Sequence, residues 1–133
     1  MGVNVLIVDR SAVMRKILER ALRQACVQID HVVEASDGVE ALERLQAGGG
    51  IQVIFSELNM PNMDGIEFLS QVKQSDSFRR IPVVMVTTEG TEARVREALS
   101  LGAAGYVKKP FTPAQMQTAL RRAITLQTAR SVP

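Results

Sequence analysis

Five short apolar runs, separated by stretches with helical spacing, limit the folds open to this chain more than any other feature. They are Val3 to Val8, Asp30 to Ala35, Ile51 to Ser56, Ile81 to Val86 and Ala104 to Val107. Each has strand length and reads as nearly continuously apolar, as expected when both faces of a sheet are covered. The first intervening segment places Val13, Ile17, Ala21 and Ala25 on one stripe, widened by Leu18 and Leu22, with Ser11 placed to cap it. A second helix is expected from Asp37 to about Gln46 on Val39, Leu42 and Leu45, ended by Gly48, Gly49 and Gly50. A third covers about Gly65 to Gln74 on Ile66, Leu69 and Val72, and a fourth about Glu92 to Leu101. Pro113 suits the first turn of a last helix, from Thr112 to about Thr128, capped by the Thr112 hydroxyl.

Strands alternating with helices are satisfied most economically by a parallel sheet between two helical layers, because each crossover is right-handed and returns to the same sheet. The expected fold class is therefore α/β, a doubly wound five-stranded parallel sheet with five helices. No linker or repeat interrupts it, so residues 1–128 read as one domain and residues 129–133 as a short C-terminal tail. The apolar runs fall far short of the roughly 20 residues that a membrane span needs, and no charged-then-apolar leader precedes them. A cytoplasmic location is expected. Cys26 is the single cysteine, which rules out an intramolecular disulfide, and it is expected to be a small buried helix residue.

A net charge of +2 is too small to imply nucleic-acid or membrane binding. Its distribution is uneven: no acidic residue follows Glu97, whereas Lys108, Lys109, Arg121, Arg122 and Arg130 do. The basic stretch is either a solvated helix face or a docking patch for an acidic partner.

In a doubly wound sheet, ligands sit beyond the carboxyl ends of the strands, near the point where strand order reverses. The residues there are Asp9 and Arg10, Glu57, Thr87 and Thr88, and Lys109 with Pro110, and they should converge on one shallow site. At this point the chain resembles the receiver domains of two-component response regulators, especially the single-domain, CheY-like chemotaxis type. Carrying the resemblance are Leu58-Asn59-Met60-Pro61-Asn62-Met63-Asp64-Gly65, then Val86-Thr87, then Tyr106-Val107-Lys108-Lys109-Pro110-Phe111. It extends from about Val3 to Ile124 and implies the strand order 2-1-3-4-5. It further implies a pair of acids holding a divalent cation, an aspartate that accepts a phosphoryl group, and a hydroxyl and a lysine that bind the phosphate. Asp9 matches the first acid, Thr87 the hydroxyl and Lys109 the lysine. Arg10 stands in place of the second acid, and Glu57 in place of the phosphoacceptor.

Counting charge shows what these departures imply. Asp9 and Glu57 contribute −2 while Arg10 and Lys109 contribute +2, so a pocket built of all four is neutral and its demand for magnesium is lost or weak. The guanidinium of Arg10 is expected to occupy the cation's place and pair with a carboxylate; metal binding survives only if it swings outward. Glu57 carries one methylene more than aspartate, which displaces its carboxylate by about 1 Å, and misplacement on that scale can cost on the order of 100-fold in rate. The longer side chain also pushes a charge toward Thr87 and Lys109, so Glu57 either imitates a phosphorylated aspartate or forms a structural ion pair after activity was lost.

Strand alternation turns Ser56 away from Glu57, and Lys108 toward solvent beside Lys109. Asp64 reads as a helix-start residue, and His31 as lying away from the site. The resemblance makes Tyr106 the switch aromatic. It also makes the fourth helix, fifth strand and fifth helix the partner surface, here with Tyr106, Lys108, Arg121 and Arg122, extended by Arg94 and Arg96. The expectation is an atypical receiver that meets a protein partner, of the sensor-kinase or chemotaxis-output kind, without phosphorylation, catalysis or a cofactor. Its rivals are a conventional magnesium-dependent phosphotransfer receiver and a DNA-binding regulator, the latter hinted at only by the basic stretch.

Overall fold

The computed structural model describes residues 2–88 and 92–131, with side chains through Gln127. Five parallel strands alternate with five helices: β1 (Val3–Val8), α1 (Ala12–Arg23), β2 (Ile29–Ala35), α2 (Gly38–Gln46), β3 (Val53–Glu57), α3 (Gly65–Gln74), β4 (Val83–Thr87), α4 (Glu92–Ser100), β5 (Gly105–Lys108) and α5 (Pro113–Ser131). The strand order is β2-β1-β3-β4-β5, the doubly wound arrangement. The central strands are mostly apolar because helices cover both faces, and Asn4, Ser56, Glu57 and Thr87 are their polar residues. On one face Leu6, Val8, Ile54, Val83 and Met85 pack with Ala41 and Leu45 of α2, Phe68, Leu69 and Val72 of α3, and Val95 and Ala98 of α4. On the other, Val5, Ile7, Val53, Phe55, Val84, Val86 and Val107 pack with Leu18, Ala21 and Leu22 of α1 and Met116, Leu120 and Ala123 of α5.

The caps act where short polar side chains precede apolar runs. Ser11 Oγ accepts from the Met14 amide at 3.1 Å, and Asp37 and Asp64 cap α2 and α3 through the Glu40 and Glu67 amides. Thr112 and Gln115 exchange backbone and side-chain bonds at the start of α5, a capping box.

Several sequence expectations are corrected. The buried stripe of α1 is Leu18, Ala21 and Leu22, whereas Val13 is 71% and Ile17 44% exposed. At 100° per residue Ile17 falls beside that stripe and Val13 farther round, toward solvent. Val39 is likewise exposed, and α2 buries Ala41 instead. Cys26 lies in the turn after α1 and is exposed, because the helix stops at Arg23. β3, β4 and β5 end one residue later than their apolar runs, so the pleat carries on into the polar residues Glu57, Thr87 and Lys108. α5 runs to Ser131, beyond the helix end expected near Thr128; no proline or glycine lies between Pro113 and Ser131 to stop it. The rest of the expected tail, residues 132–133, lies outside the described residues.

Candidate functional site

Pleat alternation decides which strand-end side chains meet. Asp9 continues the Val5–Ile7 side of β1, Glu57 the Val53–Phe55 side of β3, and Lys109 the side of Val107. All three reach the carboxyl edge of the sheet on the face covered by α1 and α5, and all are buried, at 2%, 6% and 7% exposure. Lys109 Nζ donates to Asp9 Oδ2 at 2.6 Å and to Glu57 Oε1 at 3.0 Å. The other carboxylate oxygens accept from the backbone: Asp9 Oδ1 from the Ser11 amide at 2.8 Å, and Glu57 Oε2 from the Leu58 amide at 2.7 Å. One ammonium and two amides thus occupy all four oxygens, as burial of two charges requires.

Thr87 joins this group only through its backbone, its carbonyl accepting from the Lys109 amide at 2.7 Å. Its side chain follows Val83 and Met85 to the other face of the sheet. The hydroxyl is fully buried and has no hydrogen-bond partner among the described residues. Glu57 makes no hydrogen bond to it, so the expected approach of the Glu57 charge to Thr87 is corrected. The carboxylate lies on Lys109 and the Leu58 amide instead.

Arg10 calls for the largest correction. It is exposed, and no ion pair joins it to Asp9 or Glu57 among the described residues. Asp9 points inward, so the following residue points out, and Lys109 already fills the space between the carboxylates. The buried group therefore sums to −1, two carboxylates against one ammonium, instead of zero. It still fits a hard dication poorly. Such an ion wants six or more oxygen ligands, whereas only two carboxylates converge and every oxygen has a donor. Among the described residues no group of three or more His, Cys, Asp or Glu side chains could hold a metal ion.

The surroundings fix this arrangement. Gly65 donates to the Leu58 carbonyl at 2.8 Å, and a Cβ at residue 65 would run into the Glu57 carbonyl oxygen. The turn carrying Asp9 is held by Arg15, which sequence reasoning missed. Its Nη1 donates to the Asp9 carbonyl at 2.6 Å and its Nε to Glu34 Oε1 at 2.8 Å. The available signal was its place one helical turn after the Ser11 cap, on a stripe facing the acid near the end of β2. Glu34 also pairs with Lys16 at 2.8 Å, and that hydrogen bond, with help from Arg15, holds its carboxyl below the usual range. Asp37 is lowered by the Glu40 amide and then by Asn62. Asn62 itself, at φ 66°, takes the left-handed turn that asparagine tolerates.

Of the expected partner-surface residues, Tyr106 is 53% exposed, and Lys108, Arg96, Arg121 and Arg122 are exposed around it. Arg94 is placed differently: it pairs with Asp64 Oδ2 at 3.3 Å and reaches Asn59 Oδ1 at 3.4 Å, which ties α4 to the β3–α3 loop. Ser56 is buried with its hydroxyl on the Glu57 carbonyl, Asp64 caps α3, and His31 is exposed on β2.

The response regulator receiver domain model matches residues 5–121. Chemotaxis protein CheY1 of Helicobacter pylori is 40% identical over 110 residues, 83% of this chain and 87% of that protein. The CheY homolog of Campylobacter jejuni is 39% identical over 110 residues, 83% of each chain. Among solved structures, the chemotaxis response regulator CheY4 of Vibrio cholerae aligns with a TM-score of 0.79 at 33% identity, covering 92% of this chain and 99% of that one. A receiver domain protein from Clostridium thermocellum aligns at 0.85 over 96% and 98% of the two chains; at 22% identity it speaks for the fold alone.

Proposed function

Since the chain belongs to the response regulator receiver family, the signalling modules of two-component systems, we propose that this member is a cytoplasmic, phosphorylation-independent protein-interaction module. It is not an enzyme and uses no cofactor, and its magnesium affinity is lost or weak. One observation carries the reading: Lys109 already bridges the two buried carboxylates, and backbone amides take their remaining oxygens. A carboxylate held this way is a poor nucleophile, and Glu57 is too long for the in-line geometry of an aspartate. No phosphoryl oxygen then reaches Thr87 to bias the domain, so its state is set by whichever partner binds one state more tightly.

Receivers of this type act by meeting other proteins. Here the partner meets the α4-β5-α5 face, where Tyr106, Lys108, Arg96, Arg121 and Arg122 are exposed and favour an acidic protein of the kinase or chemotaxis-output kind. No nucleic acid or membrane is involved. Among the described residues no helix is long and apolar enough to cross a bilayer.

The test is the double substitution Arg10→Asp with Glu57→Asp, exposed to acetyl phosphate and magnesium and followed by mass spectrometry. The reading expects none in the parent; in the double variant the second acid lets magnesium compete with Lys109 for the shortened carboxylate, and phosphoacceptance is expected. Phosphorylation of the parent would overturn it.

A further inference from the structure

The face of the sheet opposite the carboxylates holds a second polar feature that the proposed function does not use. Between β4, α4 and β5 lies a cavity of about 370 Å³ lined by Thr87, Glu92, Val95, Arg96, Leu99, Tyr106 and Lys108. Cavities that hold small molecules begin at about this size, with apolar walls and a few polar groups that fix orientation. Val95, Leu99 and the Tyr106 ring supply the apolar walls. Lys108, paired in register with Thr87, and Arg96, one helical turn before Ser100, bring two cations against the single acid Glu92. Thr87 lines the same cavity, and its hydroxyl is buried without a partner, a costly state for a group that can donate one bond and accept others.

We infer that this cavity is a binding site for a small amphipathic carboxylate. The acid group is taken by the Thr87 hydroxyl with Lys108 and Arg96, and the hydrocarbon lies against Val95, Leu99 and Tyr106. The site does not use the Asp9, Glu57 and Lys109 group, because Thr87 faces away from Glu57 and Asp9. Occupying it holds the Tyr106 ring at the cavity mouth and couples a metabolite-sized ligand to the partner face.

The chain has one tyrosine and no tryptophan, so its tyrosine fluorescence reports on Tyr106 alone. Titration with hexanoate, which does not absorb where tyrosine does, is expected to give a saturable change with Kd on the order of 1 mM. Hexanol, which lacks the charge, and inorganic phosphate, which lacks the tail, are each expected to bind about tenfold more weakly or not at all. Lys108→Ala, at an exposed position that leaves the fold intact, should weaken hexanoate several-fold. Thr87→Val should weaken it about tenfold while raising the thermal midpoint, because it deletes an unpartnered hydroxyl. A ligand-independent packing role would not produce that opposite pair of effects. No saturable response to hexanoate, equal responses to hexanoate and hexanol, or tighter binding of phosphate would each overturn the inference. None of these results bears on whether Glu57 accepts a phosphoryl group.

Discussion

Replacing Lys109 by methionine removes the cation between two buried carboxylates while keeping most of the side chain's volume. In the parent, Nζ lies 2.6 Å from Asp9 and 3.0 Å from Glu57, and all three side chains are at most 7% exposed. The Ser11 and Leu58 amides still serve one oxygen of each acid, so the loss is the charge and two hydrogen bonds. Removing one partner from a buried ion pair costs about 3–5 kcal/mol, mostly the penalty of a charge left without compensation. A domain of this size has about 5–15 kcal/mol in hand, so Lys109→Met should fold but melt far earlier. The size of the effect is read by urea unfolding at pH 7, alongside Glu57→Gln and the double variant. Glu57→Gln in the Lys109→Met background should recover part of the loss, giving a coupling of at least about 1 kcal/mol in the cycle. Magnesium should raise the urea midpoint of Lys109→Met, whose freed oxygens can accept a dication, and leave the parent unmoved. A cost below about 1 kcal/mol for Lys109→Met, or additive single and double variants, would refute the claim that Lys109 is the cation of this site.

Arg10→Ala should change stability by less than about 0.5 kcal/mol in denaturant unfolding, because the side chain is exposed; a loss of several kcal/mol would return Arg10 to the pocket. Gly65→Ala should cost about 2–3 kcal/mol, read from the thermal midpoint, since its Cβ would clash with the Glu57 carbonyl oxygen. The carboxyls of Glu34 and Asp37 are held below their ordinary values in the folded state, so they favour folding above the ordinary carboxylate range, and this contribution is lost as pH falls through it. Stability should therefore decline below about pH 4.5, and Glu34→Gln should flatten that slope in unfolding measured across pH; an unchanged slope would exclude the Lys16–Glu34–Arg15 cluster as its source.

Much of the fold was legible because strand and helix periods rarely conflict here: Val3 to Val8 and Ile81 to Val86 read as buried strands, and strands stand at Val3–Val8 and Val83–Thr87. The helix faces were less legible. Val13, Ile17 and Val39 look like core by residue type, yet the buried stripes run through Leu18, Ala21 and Leu22 on α1 and through Ala41 and Leu45 on α2, and residue type alone does not pick them out. At the site, parity along the strands brought Asp9, Glu57 and Lys109 together and separated Thr87 from them, an outcome implicit in the positions of Val5, Ile7, Val53, Phe55 and Val107. The exposure of Arg10 was hidden for another reason. Charge counting treats neighbours in sequence as neighbours in space, whereas Arg10 and Asp9 leave the turn on opposite sides. Arg94 was grouped with the partner surface for its charge alone; its bond to Asp64 depended on where α4 packs.

The central claim is that Lys109 and two backbone amides leave Glu57 and Asp9 with no oxygen for a phosphoryl group or its metal. The most direct measurement is a two-dimensional amide NMR spectrum of the parent protein with magnesium, before and after addition of beryllofluoride. The expected result is no change at Leu58, Ser11, Thr87 or Lys109. Magnesium-dependent displacement of those amides on adding beryllofluoride would contradict the claim.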